Sequence, residues 1–231
     1  VRVALFVTCL ADTLFPDVGK ATVAVLERLG LEVAFPREQT CCGQMHWNAG
    51  YSDAARALAD RYGAAFARYD AVVTPSGSCA GHVRTHVAEL APVAAAAAAA
   101  TYELSQFLVE RLGVTDVGSG WRGRLTYHPT CHSLRVARVG AAPLRLLQAV
   151  PGAELVELPA AEECCGFGGT FAVKNAGVST AMLAEKIACV LASGADAVCA
   201  CDSSCLMHIG GGLRRVGAGV LPLHLAEVLA S

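Results

Sequence analysis

The sequence predicts an α/β fold of two pseudo-symmetric halves, each a mostly parallel sheet flanked by helices, with cysteines gathered at the carboxyl-terminal edge of the strands. Three observations predict it. Short apolar, strand-like runs alternate with helix-period stretches. The tripeptide Cys-Cys-Gly occurs twice, at Cys41-Cys42-Gly43 and Cys164-Cys165-Gly166. Each copy stands between a lone upstream cysteine, Cys9 or Cys131, and a lone downstream one, Cys79 or Cys205. Alternation of strand and helix favours parallel sheets, because parallel neighbours need a crossover that a helix supplies.

Taken in order, residues 2–7 read as a first strand and 18–29 as a helix ended by Gly30. Residues 31–35 read as a second strand. Over 53–69, Ala55, Leu58, Ala59, Tyr62 and Phe66 recur at helical spacing, and the apolar run 71–74 before Pro75 makes a third strand. The alanine tract 94–100 reads as a helix end or surface spacer. The second half repeats the pattern, with strands over 124–127, 154–158 and 197–200. Helices over 144–150 and 179–192 lie between them, stopped by Pro151-Gly152 and Gly194.

The repeat extends beyond the cysteines. Residues 71–79 align without gaps on 197–205, sharing the opening Ala-Val and the closing Ser-Cys, and 104–108 resemble 225–229. Such a unit is domain-sized, unlike a solenoid repeat of ~20–50 residues. The expected division is a first half over residues 1–118 and a second over 119–231, each able to bury its own core.

With 231 residues, 54% hydrophobic, 16% charged and a net charge of −2, the chain lacks the basic stripe that nucleic acid requires. No apolar run of ~18 residues suggests a membrane span, and no export signal is visible. Eleven cysteines, an odd number, then suggest reduced thiols in a cytoplasmic protein. Cys189, within a helical pattern, and Cys199, within a strand, read as core residues.

Eight of the other nine, Cys9, Cys41, Cys42, Cys79, Cys131, Cys164, Cys165 and Cys205, each follow a strand. They converge on the sheet edge where ligands bind in open α/β folds. Adjacent cysteines point apart and suit separate irons of a cluster better than one zinc ion, which favours Cys-x-x-Cys knuckles. Iron–sulfur is thus the expected cofactor, with zinc the alternative. Gly43 and Gly166, extended by Gly168 and Gly169, allow close backbone approach and an N–H donor to the cluster. The stretch lacks the Gly-x-Gly-x-x-Gly register of a dinucleotide loop. Lys174 is near enough in sequence to balance cluster charge. His46 and His132 are candidates to donate to cluster sulfur or substrate. His128 reads as a strand-end residue bonded to backbone, and His82, His86, His208 and His224 as helix or surface residues.

These residues resemble the cysteine-rich Cys-Cys-Gly domain family, which includes the B subunit of heterodisulfide reductase and the iron–sulfur subunit of glycolate oxidase. Within it the likeness is to the lactate-utilisation proteins. It runs nearly the whole chain, through Phe6-Val7-Thr8-Cys9, Cys41-Cys42-Gly43-Gln44, Tyr127-His128-Pro129, Cys164-Cys165-Gly166-Phe167-Gly168-Gly169 and Asp202-x-Ser204-Cys205. The resemblance implies an iron–sulfur subunit of a complex oxidising L-lactate to pyruvate, inactive alone. Its implied partners are a ferredoxin-type iron–sulfur subunit and a third small subunit. A disulfide-cleaving subunit or a zinc-bearing assembly factor are the other activities the family offers. The wider family ends each half in Cys-x-x-Cys, whereas Ser76 and Asp202 stand here. Four thiolates per half remain, as an ordinary 4Fe-4S cubane requires, with up to two clusters in all. An oxygen ligand from Ser76 or Asp202, a catalytic role for Asp202, and Cys201 as a fifth ligand stay open beside a simple helix cap.

Overall fold

The computed structural model describes residues 2–231. Each half forms a four-stranded, all-parallel sheet. The first holds β1 (Val3–Leu5), β2 (Val33–Ala34), β3 (Ala71–Thr74) and β4 (Thr101–Glu103) in the order β2-β1-β3-β4. The second holds β5 (Arg122–Tyr127), β6 (Gly152–Val156), β7 (Ala197–Ala200) and β8 (Leu221–His224) in the order β6-β5-β7-β8. The repeat in sequence is therefore a repeat of topology. The fourth strand of each sheet is additional to the expected elements. Both are short, and Pro222 interrupts the second.

The crossovers run through the helices Pro16–Arg28 and Ser52–Phe66 in the first half, Ala142–Gln148 and Ala176–Ala192 in the second. Proline opens Pro16–Arg28, where its missing N–H is no loss, and Gly30 follows its end at φ +79. The alanine tract is no surface spacer. It forms the helix Ala95–Ala99 with Ala97 and Ala98 buried, and small side chains there let Gly63 approach Ala94 closely.

Side chains of β1 and β3 alternate between two cores, as strand pleating dictates. Val3, Ala71 and Val73 join one cluster while Ala4, Phe6 and Val72 join another. The second of these clusters lies wholly in the first half, and a third, with Leu158, Val190, Val198 and Leu213, wholly in the second, but the first is shared between the halves. It also contains Leu26, Leu104 and Phe107 of the first half and Leu125, Leu146, Leu147, Leu225 and Leu229 of the second. Arg28 strengthens the join, its guanidinium donating to the carbonyls of Val117, Gly118, Leu229 and Ala230. A second seam packs the helix Gly77–His82 on the helical turns Ser133–Ala137. A Cβ on Gly77 would lie 1.8 Å from Ser133 Oγ, so only glycine fits.

Candidate metal centre

In each sheet the chain first moves from the central strand to one side and then crosses to the other. The loops after β1 and β3, and after β5 and β7, therefore part at a topological switch point. Cys9 opens the helix Cys9–Leu14 after β1, Cys41-Cys42 follow β2, and Cys79 lies in the first turn of Gly77–His82 after β3. The second half places Cys131 after β5, Cys164-Cys165 after β6 and Cys205 at the start of the helix Ser203–Arg215 after β7.

The sulfurs meet. Cys9 Sγ is 3.6 Å from Cys41 Sγ, and Cys42 Sγ is 3.3 Å from Cys79 Sγ. In the second set Cys165 Sγ and Cys205 Sγ lie within 4.8 Å of each other and of a ring nitrogen of His128. The glycine after each pair has a matching role. Gly43 (φ +90) and Gly166 (φ +89) turn back so that their N–H groups approach Cys41 Sγ at 3.4 Å and Cys164 Sγ at 3.3 Å. Gly168 and Gly169 also have positive φ, and Thr8, beside Cys9, takes φ 70 although it is not glycine.

Hydrogen bonds from Cys42 and Cys9 pull the Cys41 thiol far down, to about 2, and those from Cys131 and Cys165 do the same for Cys164. Cys9, Cys42, Cys131 and Cys165 are pushed up, chiefly as the donors in those bonds and then by burial. Each set thus carries negative charge that a cation must offset before more thiols ionise. Sulfur donors in fours are the soft set that iron–sulfur clusters and zinc select, and a poor match for magnesium or calcium.

Both sets line one cleft, which Thr8, Met45, His132, Phe167, Thr170 and Asp202 complete. Asp202 is buried between the halves. Its Oδ1 accepts from Ser76 Oγ (2.8 Å), Ser78 N (3.0 Å) and Ser78 Oγ (2.8 Å), and its Oδ2 from Ser133 Oγ (3.1 Å) and Thr130 Oγ1. Ser76 also accepts from Cys79 N as the cap of its helix. Both oxygen candidates are thus committed to hydrogen bonds. Cys201 turns into the shared core, with its Sγ 3.4 Å from Tyr127 Oη. Cys199 is buried in β7 and Cys189 half-buried on its helix.

Among the histidines, His132 faces the cleft with Nδ1 3.6 Å from Cys131 Sγ. His46 has a buried, unpartnered Nδ1. His128 departs from expectation. It is fully buried, and neither ring nitrogen makes a hydrogen bond, although the Ala161 backbone is near. Burial and then the charge of Lys186 push it down to about 4. His82, at the end of the helix Gly77–His82, and His224, the cap of the helix Leu225–Ala230, belong to helices as expected, but both are buried. His82 and His208 each stand three residues after the last cysteine of their set, a Cys-x-x-His repeat that aligning the halves would have revealed. Lys174 is exposed, and the buried cation of this region is Lys186.

Two parallel sheets, each with four sulfurs gathered at its switch point, define a duplicated cysteine-rich metal-binding protein. The model of the cysteine-rich domain CCG matches the chain twice, over residues 3–84 and 125–210, and the chain belongs to that family. Lactate utilization protein A of Geobacillus kaustophilus is 50% identical over 99% of this chain and 98% of its own length. The proteins of the same name from Oceanobacillus iheyensis and Bacillus pumilus are each 47% identical, the first covering 99% of this chain and 96% of its own, the second 100% and 99%. Glutamate racemase from Thermus thermophilus, in complex with Beta-chloro-D-alanine, overlays with a TM-score of 0.30 at 13% identity, covering 100% of this chain and 77% of that one. That likeness is too remote to bear on fold or site. No helix among the described residues is long and apolar enough to cross a membrane.

Proposed function

We propose that this chain is the iron–sulfur subunit of a complex oxidising L-lactate to pyruvate, with Cys9, Cys41, Cys42 and Cys79 holding one 4Fe-4S cluster and Cys131, Cys164, Cys165 and Cys205 a second. The observation that carries the reading is that two sets of four thiols open into one cleft. The near-half identity to proteins named for lactate utilisation, over essentially the full length of both, supports lactate as the substrate. Lactate loses two electrons and two protons in becoming pyruvate. Bound clusters supply one-electron redox capacity.

The chain's own residues bind and position. The N–H groups of Gly43 and Gly166 donate toward sulfur, and Gly168 and Gly169 let the backbone pass close to the second set. Asp202 fixes the loops carrying Cys79 and Cys131 relative to each other. His132, in the cleft beside Cys131, is the group placed to handle a proton. A ferredoxin-type iron–sulfur subunit and a third small subunit are the proposed partners.

Protein isolated anaerobically should be brown, absorb near ~400 nm and contain about four irons and four sulfides per cysteine set. Stoichiometric zinc without acid-labile sulfide would remove the cluster reading. A strain lacking the chain should fail on lactate yet grow on pyruvate. Reduction of a thiol heterodisulfide by the isolated chain would instead assign it to disulfide cleavage.

A further inference from the structure

The halves match residue for residue around their cysteines, and the match exposes one difference. Gly43 faces the carbonyl of Ala55 and Cβ of Leu58, while Gly166 faces the carbonyl of Ser179 and Cβ of Met182. Ala55 thus corresponds to Ser179 and Leu58 to Met182. One helical turn further on, Tyr62 corresponds to Lys186. On the central strands, Cys9 and Cys131 correspond, which sets Phe6 against His128.

In the first half these positions hold an aromatic pair. Phe6 and Tyr62 are buried and pack edge to face with centroids 5.2 Å apart, and Tyr62 bonds Thr101 Oγ1 at 2.6 Å. In the second half they hold a base and a cation. His128 has a ring nitrogen within 4.8 Å of Cys165 Sγ and Cys205 Sγ, and both of its nitrogens are unpartnered. Lys186 is 1% exposed, donates to the carbonyls of Ala160 (2.7 Å) and Ala161 (3.3 Å), and forms no ion pair among the described residues. The negative groups acting on it are Cys189, Cys165, Glu163 and Cys164. Asp202, where the first half has Ser76, also acts on Cys131, but its carboxylate lies on the seam and is compensated by hydrogen bonds from Ser76, Ser78, Thr130 and Ser133 of both halves. Gly43 N–H is matched by Gly166 N–H, and His82 by His208. His46 acts on Cys41 as His132 approaches Cys131.

We infer that His128 and Lys186 make the second site the higher-potential member of the pair, so that an added electron is held preferentially on the side of Cys131, Cys164, Cys165 and Cys205. The inference rests on the iron–sulfur reading above. An added electron is added negative charge in a poorly screened interior, where a buried ammonium favours it and an imidazole ring nitrogen within 4.8 Å of two of the sulfurs is free to donate toward them. The aromatic floor of the first site offers neither.

The test is a redox titration of the whole chain, loaded anaerobically with iron and sulfide and followed by electron paramagnetic resonance. Two midpoints are expected, and Cys165→Ser should abolish the higher one. Lys186→Met should lower that midpoint by at least about 59 mV, a tenfold change for one electron, and leave the other in place. Lys186→Arg, which keeps the charge, should retain it. The exchange His128→Phe with Lys186→Tyr should bring the two together. Coincident midpoints in the unmodified chain, or loss of the lower midpoint in Cys165→Ser, would overturn the inference even if the exchanged chain failed to fold. A chain that takes up only zinc, with no redox signal, would overturn the iron–sulfur reading and the inference with it.

Discussion

Glu103 and His224 occupy matching places, each ending the last strand of its sheet and capping the helix that follows, yet they titrate in opposite senses. Glu103 Oε2 accepts from Ser105 N at 2.8 Å, its Oε1 is unpartnered, and burial pushes the carboxyl from 4.5 up to about 7. The folded state then holds a proton that the unfolded chain has released. Glu103 therefore costs stability as pH rises from about 4.5 to 7, by about 3 kcal/mol at most. His224 accepts from Ala226 N through Nδ1 at 3.1 Å and reaches Pro75 O through Nε2 at 3.0 Å, and burial holds it down to about 4. Its contribution is complete above about 6.5 and is lost as pH falls toward 4, again by about 3 kcal/mol. Urea unfolding across this range should separate the two. Glu103→Gln should raise stability at pH 7 relative to pH 5, and His224→Asn should flatten the acid side. Equal pH profiles for both variants and the parent would show that neither group titrates as its burial requires.

At the scale of elements, glycines separate a seam from a free face. Gly77→Ala would drive a methyl into Ser133 and should cost about 3 kcal/mol or more, because the other half cannot retreat without opening the shared core. Gly177→Ala, on the helix Ala176–Ala192 with nothing within 4 Å, should stabilise by about 0.5–1 kcal/mol. Unfolding midpoints of the two variants should therefore move in opposite directions. The same helices show what the sequence makes legible. Long amphipathic helices and buried central strands announce themselves by period and composition. Gly77–His82, made of glycine, serine, alanine, cysteine and histidine, carries no such period and forms because Ser76 caps it and the opposite half covers it. Strands β4 and β8 are too short to show alternation and exist through pairing with β3 and β7. The cysteines were readable because their spacing repeats. His128 and Lys186 were not, since each looks ordinary until its counterpart, Phe6 or Tyr62, is laid beside it.

At the scale of the molecule, two sites that look independent share their supports. Cys42→Ser and Cys165→Ser should each remove about half of the bound iron. Cys189→Ser should leave iron unchanged and cost about 1 kcal/mol or less. Asp202→Ala should behave differently from all three. It strands the hydroxyls of Ser76, Ser78, Thr130 and Ser133 in a buried seam, a loss of about 3–5 kcal/mol, and should reduce iron at both sites. Iron lost from one site alone would mean that the carboxylate serves only its own half. The loop bearing Cys79 has a further dependence, because Asp202 grips it at Ser76 and Ser78 and His224 grips it at Pro75, all from the second half. During synthesis the first four cysteines leave the ribosome well over a hundred residues before those anchors exist. The nascent amino-terminal half must therefore wait with a loosely held thiol set, so secure loading of the earlier-made site belongs after Asp202 and His224 have emerged, and a strand of the second sheet completes the first pocket.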